Sequence, residues 1–127
     1  MKRREAREKA VQTLFQMDNS EMTLEEAITY IMDGPIDPFY ESLVKGTIEN
    51  RDEVDKVLIG KLENWSLDRL PKIERTVLRI AVYELLFQEE VPHRVILNEA
   101  IELCKHFGDE KSGRFVNGVL SKFAEEK

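Results

Sequence analysis

Apolar residues recur at three- and four-residue intervals along almost the whole chain, and strand-like alternation never lasts more than a few positions. Ala6, Ala10, Leu14 and Met17 predict a helix over about residues 2–18. Thr23 and Glu26 have the spacing of a capping box, and Gly34-Pro35 closes the helix they open. Asp37-Pro38 starts another, with proline at the first helical position. It carries Leu43, Ile48, Val54, Val57, Leu58 and Leu62, with a break near Asn50. Ser66 and Pro71 begin an element that runs to about Gln88 on Ile73, Val77, Ile80, Ala81 and Leu85. Pro92 opens a helix that ends at Gly108. Asp109 or Ser112 caps the last one, which carries Phe115, Val116, Val119, Leu120 and Phe123. The expected fold is all-α, with about six or seven helices and short connections between antiparallel neighbours.

Composition narrows the class. A chain of 127 residues forms one domain, or two small subdomains sharing a core, and buries roughly two thirds of its unfolded surface. One cysteine excludes an internal disulfide and fits a reducing compartment. No apolar run reaches the roughly 18 residues of a membrane span. The basic start is followed by Glu5 and Glu8 rather than an apolar stretch, unlike a signal peptide. A soluble, cytoplasmic protein is expected. The formal charge of −6 is unevenly spread. Lys2, Arg3, Arg4, Arg7 and Lys9 crowd the start, while acids gather at Glu25, Glu26, Glu49, Asp52, Glu53 and Asp55, and at Glu89, Glu90, Glu125 and Glu126. A local anion site on an acidic molecule is one reading, and a solvated helix start is the other.

Catalytic patterns are missing. The chain has no glycine-rich phosphate loop, no His-Glu-x-x-His and no cysteine pair for zinc. His93 and His106 are isolated and expected at the surface. Cys104 lies on the stripe Ala100, Ile101, Leu103, Cys104, Phe107 and reads as a buried small hydrophobe. No enzyme activity, cofactor, metal or small-molecule substrate is expected, and no membrane.

The first helix has the strongest candidate chemistry. At about 100° per residue, Arg3 and Arg7 lie along the edge of the Ala6, Ala10, Leu14, Met17 stripe, with Arg4, Val11 and Phe15 further round. Guanidinium forks beside an aromatic ring suit single-stranded RNA, holding phosphates while the ring stacks on a base. Arg4 and Arg7 are the expected phosphate contacts. The alternative is that Phe15 is core and the arginines are solvated.

The opening Arg3-Arg4-Glu-Ala-Arg7-Glu-Lys-Ala-Val-Gln12-Thr-Leu-Phe15 resembles the arginine-rich first helix of the NusB family of bacterial transcription antitermination factors. The run Glu74-Arg-Thr-Val-Leu-Arg-Ile-Ala-Val-Tyr83-Glu84-Leu, the Val91-Pro92 turn, Asn98-Glu99-Ala-Ile-Glu-Leu and Phe115-Val-Asn-Gly-Val-Leu are similar to its C-terminal pattern, in order. Between about Asn19 and Leu62 only helical periodicity carries the likeness.

The resemblance implies two small packed helical bundles, here residues 1–63 and 64–127. It implies binding of boxA, a short single-stranded RNA element, together with NusE, a protein of the small ribosomal subunit. The pair would join elongating RNA polymerase and other Nus factors, notably on ribosomal RNA operons. Carried over by position, the RNA surface would use Arg3, Arg4, Arg7, Gln12 and Phe15. The start of the last helix would add Lys111, Arg114 and Phe115. Its N-terminal N–H groups would grip phosphate, and Phe115 would either stack on a base or fill the core. Asp68 and Glu74 would face NusE. Family members often have an acid where this chain has Lys111. Two other readings remain. One is an RNA-recruiting domain related to ribosomal RNA methyltransferases, for which the chain leaves no room for a catalytic domain. The other is a protein-only helical adaptor working through its acidic faces.

Overall fold

The structure, a computed structural model, describes residues 1–124. The acids expected to gather at Glu125 and Glu126 lie outside the described residues. Seven α-helices, and no strand, occur among the described residues: α1 (Arg3–Asp18), α2 (Leu24–Ile31), α3 (Pro38–Glu49), α4 (Arg51–Lys61), α5 (Lys72–Phe87), α6 (His93–Phe107) and α7 (Glu110–Ala124). A single 3-10 turn, Leu67–Arg69, precedes α5. None of the helices is long and apolar enough to cross a membrane.

Local chemistry sets the boundaries. Thr23 and Glu26 close the capping box, with the Glu26 N–H donating to Oγ1 of Thr23 and the Thr23 N–H donating to Oε1 of Glu26. The Asp37 carboxylate accepts from the Tyr40 N–H, with Pro38 at the first helical position. Asn50 both ends α3 and starts α4, and its side chain donates back to the Gly46 carbonyl at 2.9 Å. Asp109, rather than Ser112, caps α7: its carboxylate accepts from the Ser112 N–H at 2.8 Å. The helix expected to close at Gly34-Pro35 ends earlier, at Ile31. Gly34 takes φ of +104°, which no helix residue adopts, so the turn consumes the residues before it.

Helix α5 is the axis of the molecule. It packs against α1, α3, α4, α6 and α7, and it is buried almost all round, from Thr76 to Glu84. One apolar cluster surrounds it. Ala6, Ala10 and Val11 of α1 join Tyr40, Leu43 and Val44 of α3, and Ile96, Leu103, Val116 and Leu120 of α6 and α7 complete it. Gly46 lies against the ring of Tyr83, where any Cβ would collide with the side chain, so glycine lets α3 and α5 close. Cys104 is buried, as its place on the α6 stripe implies, and burial pushes its thiol up to about 12.

An axial helix this enclosed must find partners for its polar side chains. Arg79 donates Nε and Nη2 to the Asp55 carboxylate of α4 at 2.8 and 3.0 Å. Glu84 accepts two bonds from Arg7 of α1. These pairs tie α5 to α4 and to α1.

Candidate nucleic-acid interface

The arginines of α1 have three different environments. Arg3 is exposed at the helix start, with its guanidinium 4.3 Å above the ring of Phe39, a cation–π contact. Arg4 projects to solvent, with 62% of its side chain exposed, yet it forks onto Glu99 of α6. Its Nε donates to Oε1 at 3.1 Å and its Nη2 to Oε2 at 2.7 Å. Glu8, Glu99, Glu102, Leu103 and His106 line the cleft around it. The Arg4 guanidinium holds the Glu99 carboxyl below the usual range, against an opposing push from burial.

Arg7 is different. Its side chain is 4% exposed and that of Glu84 2%. Nε and Nη2 donate to the two carboxylate oxygens at 2.9 and 2.8 Å. Arg7, expected with Arg4 as a phosphate contact, instead has its guanidinium enclosed and bonded to Glu84. Arg7 falls inside the arc buried by Ala6, Ala10, Val11 and Thr13, and its hydrogen-bonding fork is spent on Glu84. The buried stripe of α1 is rotated accordingly: Val11 and Thr13 are enclosed, while Leu14 and Met17 are only partly so. Phe15 and Gln12 are partly buried. Phe15 lies on nearly the same line of α1 as Arg4, but eleven residues on, about 16 Å along the axis at 1.5 Å per residue.

A second region forms where α7 begins. A groove of about 380 Å³ is lined by Trp65, Leu70, Pro71, Glu74, Asp109, Lys111, Ser112 and Phe115. Phe115 is partly buried, packs on the core and meets Trp65 edge to face at 5.5 Å. Glu74 is 9% exposed and makes no hydrogen bond or ion pair among the described residues. Burial first, and the charge of Asp109 second, raise its carboxyl above the ordinary value, while Lys111 opposes them. The groove thus joins Lys111 and Phe115, expected to meet RNA, with Glu74, expected to meet a protein.

At the α7 N-terminus, expected to grip phosphate, the Asp109 carboxylate accepts from the Ser112 N–H. The carboxyl is held low, chiefly by this bond. Arg114 is exposed on another face, beside Lys105, Glu110 and Asn117. Asp68 is exposed on the 3-10 turn, and its carbonyl accepts from Arg75.

Comparison with known proteins decides the family. The model of the NusB family matches residues 4–125. The chain belongs to the NusB family. Its similarity to the Transcription antitermination protein NusB of Lysinibacillus sphaericus (strain C3-41) is 63% identity over 127 residues, covering 100% of both chains. The Listeria monocytogenes (strain F2365) protein of the same name is 49% identical, covering 99% of this chain and 98% of that one. Among solved structures, T. maritima NusB superposes with a TM-score of 0.88 at 38% identity, covering 99% and 92% of the two chains. A chain from the complex of antitermination factors NusB and NusE with dsRNA gives 0.86 at 30% identity, covering 98% and 97%.

The NusB-like motifs divide by position. Glu84, in the α5 motif, is a structural partner of Arg7. Glu99, in the α6 motif, reaches the N-terminal arginine. Sequence reading missed Glu99, Trp65 and Phe39 as neighbours of the candidate site. A lone acid inside the apolar run from Val77 to Leu86 was the one available signal that a cation must be buried opposite.

Proposed function

We infer that this chain is a non-enzymatic transcription antitermination factor that binds boxA RNA together with NusE and joins elongating RNA polymerase with other Nus factors in the bacterial cytoplasm. The observation that carries this reading is the end-to-end match to antitermination proteins, including a chain solved with NusE and RNA. In this reading Arg3, Arg4, Gln12 and Phe15 of α1 form one part of the RNA surface, Lys111 and Phe115 of α7 form another, and Arg114 adds charge outside their groove. Arg7 supports the first part from beneath. Asp68 and Glu74 face the basic partner protein, where opposite charge steers encounter and fixes register. The division into 1–63 and 64–127 would place the arginine helix in one half and the groove in the other, with α5 in contact with both.

The RNA in the solved neighbour is double-stranded, whereas the family resemblance implies a single strand. The deciding experiment is therefore a titration of single-stranded boxA, a scrambled strand and a duplex, each with and without NusE. Preference for boxA, strengthened by NusE and weakened by salt, is expected. Equal, weak binding of all three RNAs would leave the protein-only adaptor standing.

A further inference from the structure

The contact between Arg4 and Glu99 has a consequence for binding. A guanidinium fork fits a carboxylate and a phosphate with the same paired N–H geometry. Here the two-pronged edge of Arg4, Nε and Nη2, is taken by Glu99 at 3.1 and 2.7 Å. The Glu99 side chain is only 15% exposed, while that of Arg4 is 62% exposed. The carboxylate is thus fixed and partly enclosed, and the cation it holds still faces solvent. Glu8 and Glu102 line the same cleft, so a phosphate arriving there meets three carboxylates around one arginine.

We propose that Glu99 is an intramolecular competitor of the RNA backbone, occupying the fork of Arg4 and lowering RNA affinity until a phosphate displaces it. The proposal rests on the reading that the α1 arginines meet RNA. It assigns Glu99 the role of setting affinity, not of contacting RNA. An RNA that cannot place a phosphate at Arg4 gains nothing from displacing Glu99, so the contact also discriminates among backbone geometries. A buttressing role, in which Glu99 orients Arg4 for phosphate, predicts the opposite sign. The crowding of carboxylates favours competition: a phosphate that takes the free Nη1–Nη2 edge instead still meets Glu8, Glu99 and Glu102 around the same cation.

The test is RNA affinity of the full chain by fluorescence anisotropy, for wild type, Glu99→Gln, Glu102→Gln, Arg4→Ala and the double variant Arg4→Ala/Glu99→Gln. Gln keeps the size of Glu99 and removes its charge. A pair whose cation faces solvent is screened and weak, so Glu99→Gln should bind RNA only about 1.4- to fivefold more tightly. Glu102→Gln removes the same charge from the same cleft without touching the fork, and should change affinity less. Arg4→Ala should weaken binding and lower the log–log salt slope by about 0.7, one phosphate contact on a single strand. In the Arg4→Ala background the Glu99 change should have no further effect.

The outcomes separate. Absence of RNA binding by wild type, with and without NusE, overturns the functional reading and the proposal with it. Binding that Arg4→Ala leaves unchanged overturns the proposal alone. Weaker binding by Glu99→Gln shows a buttress, and an equal gain from Glu102→Gln, or one that persists without Arg4, shows general charge. Each of these rejects competition.

Discussion

Arg4 and Arg7 lie three residues apart on one helix, and each forks onto a glutamate of a distant helix with bonds of 2.7 to 3.1 Å. Their geometry is nearly the same, yet their surroundings differ entirely. The Arg7–Glu84 pair is sealed between α1 and α5, whereas the Arg4–Glu99 pair bridges α1 and α6 at the surface, with its cation facing solvent. There the pair is screened and weak, and a competing anion can exchange with the carboxylate. In the core, desolvation makes either ion intolerable without the other. The comparison teaches that the functional value of an arginine depends on what its fork costs to open.

The largest test falls on the buried pair. Arg7→Ala strands the Glu84 carboxylate, and should cost about 3–5 kcal/mol of folding stability, measured by urea unfolding. Any loss of RNA binding should then follow the unfolded fraction. Replacing both partners by apolar residues, Arg7→Met with Glu84→Leu, should recover most of that loss, because a well-packed apolar pair needs no counter-ion. A stable Arg7→Ala protein that bound RNA weakly would erase the contrast with Arg4 and return Arg7 to the RNA surface.

Phe115 lies between the two extremes. Its ring packs on the core but also lines the groove against exposed Trp65. Phe115→Ala should therefore lose about 1–2 kcal/mol of stability, below the about 3–5 of a fully buried phenylalanine. If the groove takes a base, it should also lose about 1–3 kcal/mol of RNA affinity. Trp65 is the single tryptophan, so its emission reports the groove directly. Emission that stays constant through RNA saturation, with affinity intact in the variant, would assign Phe115 to packing alone.

The helices were legible because helix signals are local. Thr23 with Glu26, Asp37-Pro38 and Asn50 act within a few residues, and apolar spacing located the buried faces of α6 and α7. The fate of each charge was not legible, because it depends on partners far along the chain. Arg7 and Glu84 are 77 positions apart, and Arg4 and Glu99 95 apart. Spacing on α1 placed Arg7 at the edge of the stripe, and packing against α5 decided which side of the edge it took. The groove escaped notice for the same reason. The turn before α5 brings Trp65 and Glu74 to the start of α7, a meeting that neither segment's periodicity encodes.

The smallest effect belongs to Glu74, a groove-lining acid less enclosed than Glu84 and lacking its guanidinium. Its carboxyl titrates above the ordinary value of 4.5, raised by burial and then by Asp109, with Lys111 opposing. The folded protein therefore holds this proton more tightly than the unfolded chain does. Stability from this group is greatest when it is protonated and declines as pH rises through the window just above 4.5. At neutral pH the charged form is a cost, so Glu74→Gln should be slightly more stable than wild type. The gain should stay within about 0.5 kcal/mol, because the groove is open to water. The difference should vanish below pH 4.5, where both side chains are neutral. Paired thermal melts at the two pH values measure it. In the proposed reading, an acid kept at a cost to folding is held ready for a partner, as Arg4 is, and the same variant should bind NusE more weakly. A Gln variant that is less stable at neutral pH would mean that Lys111 already serves Glu74 as Arg7 serves Glu84, and would move this carboxylate to the structural side of the comparison.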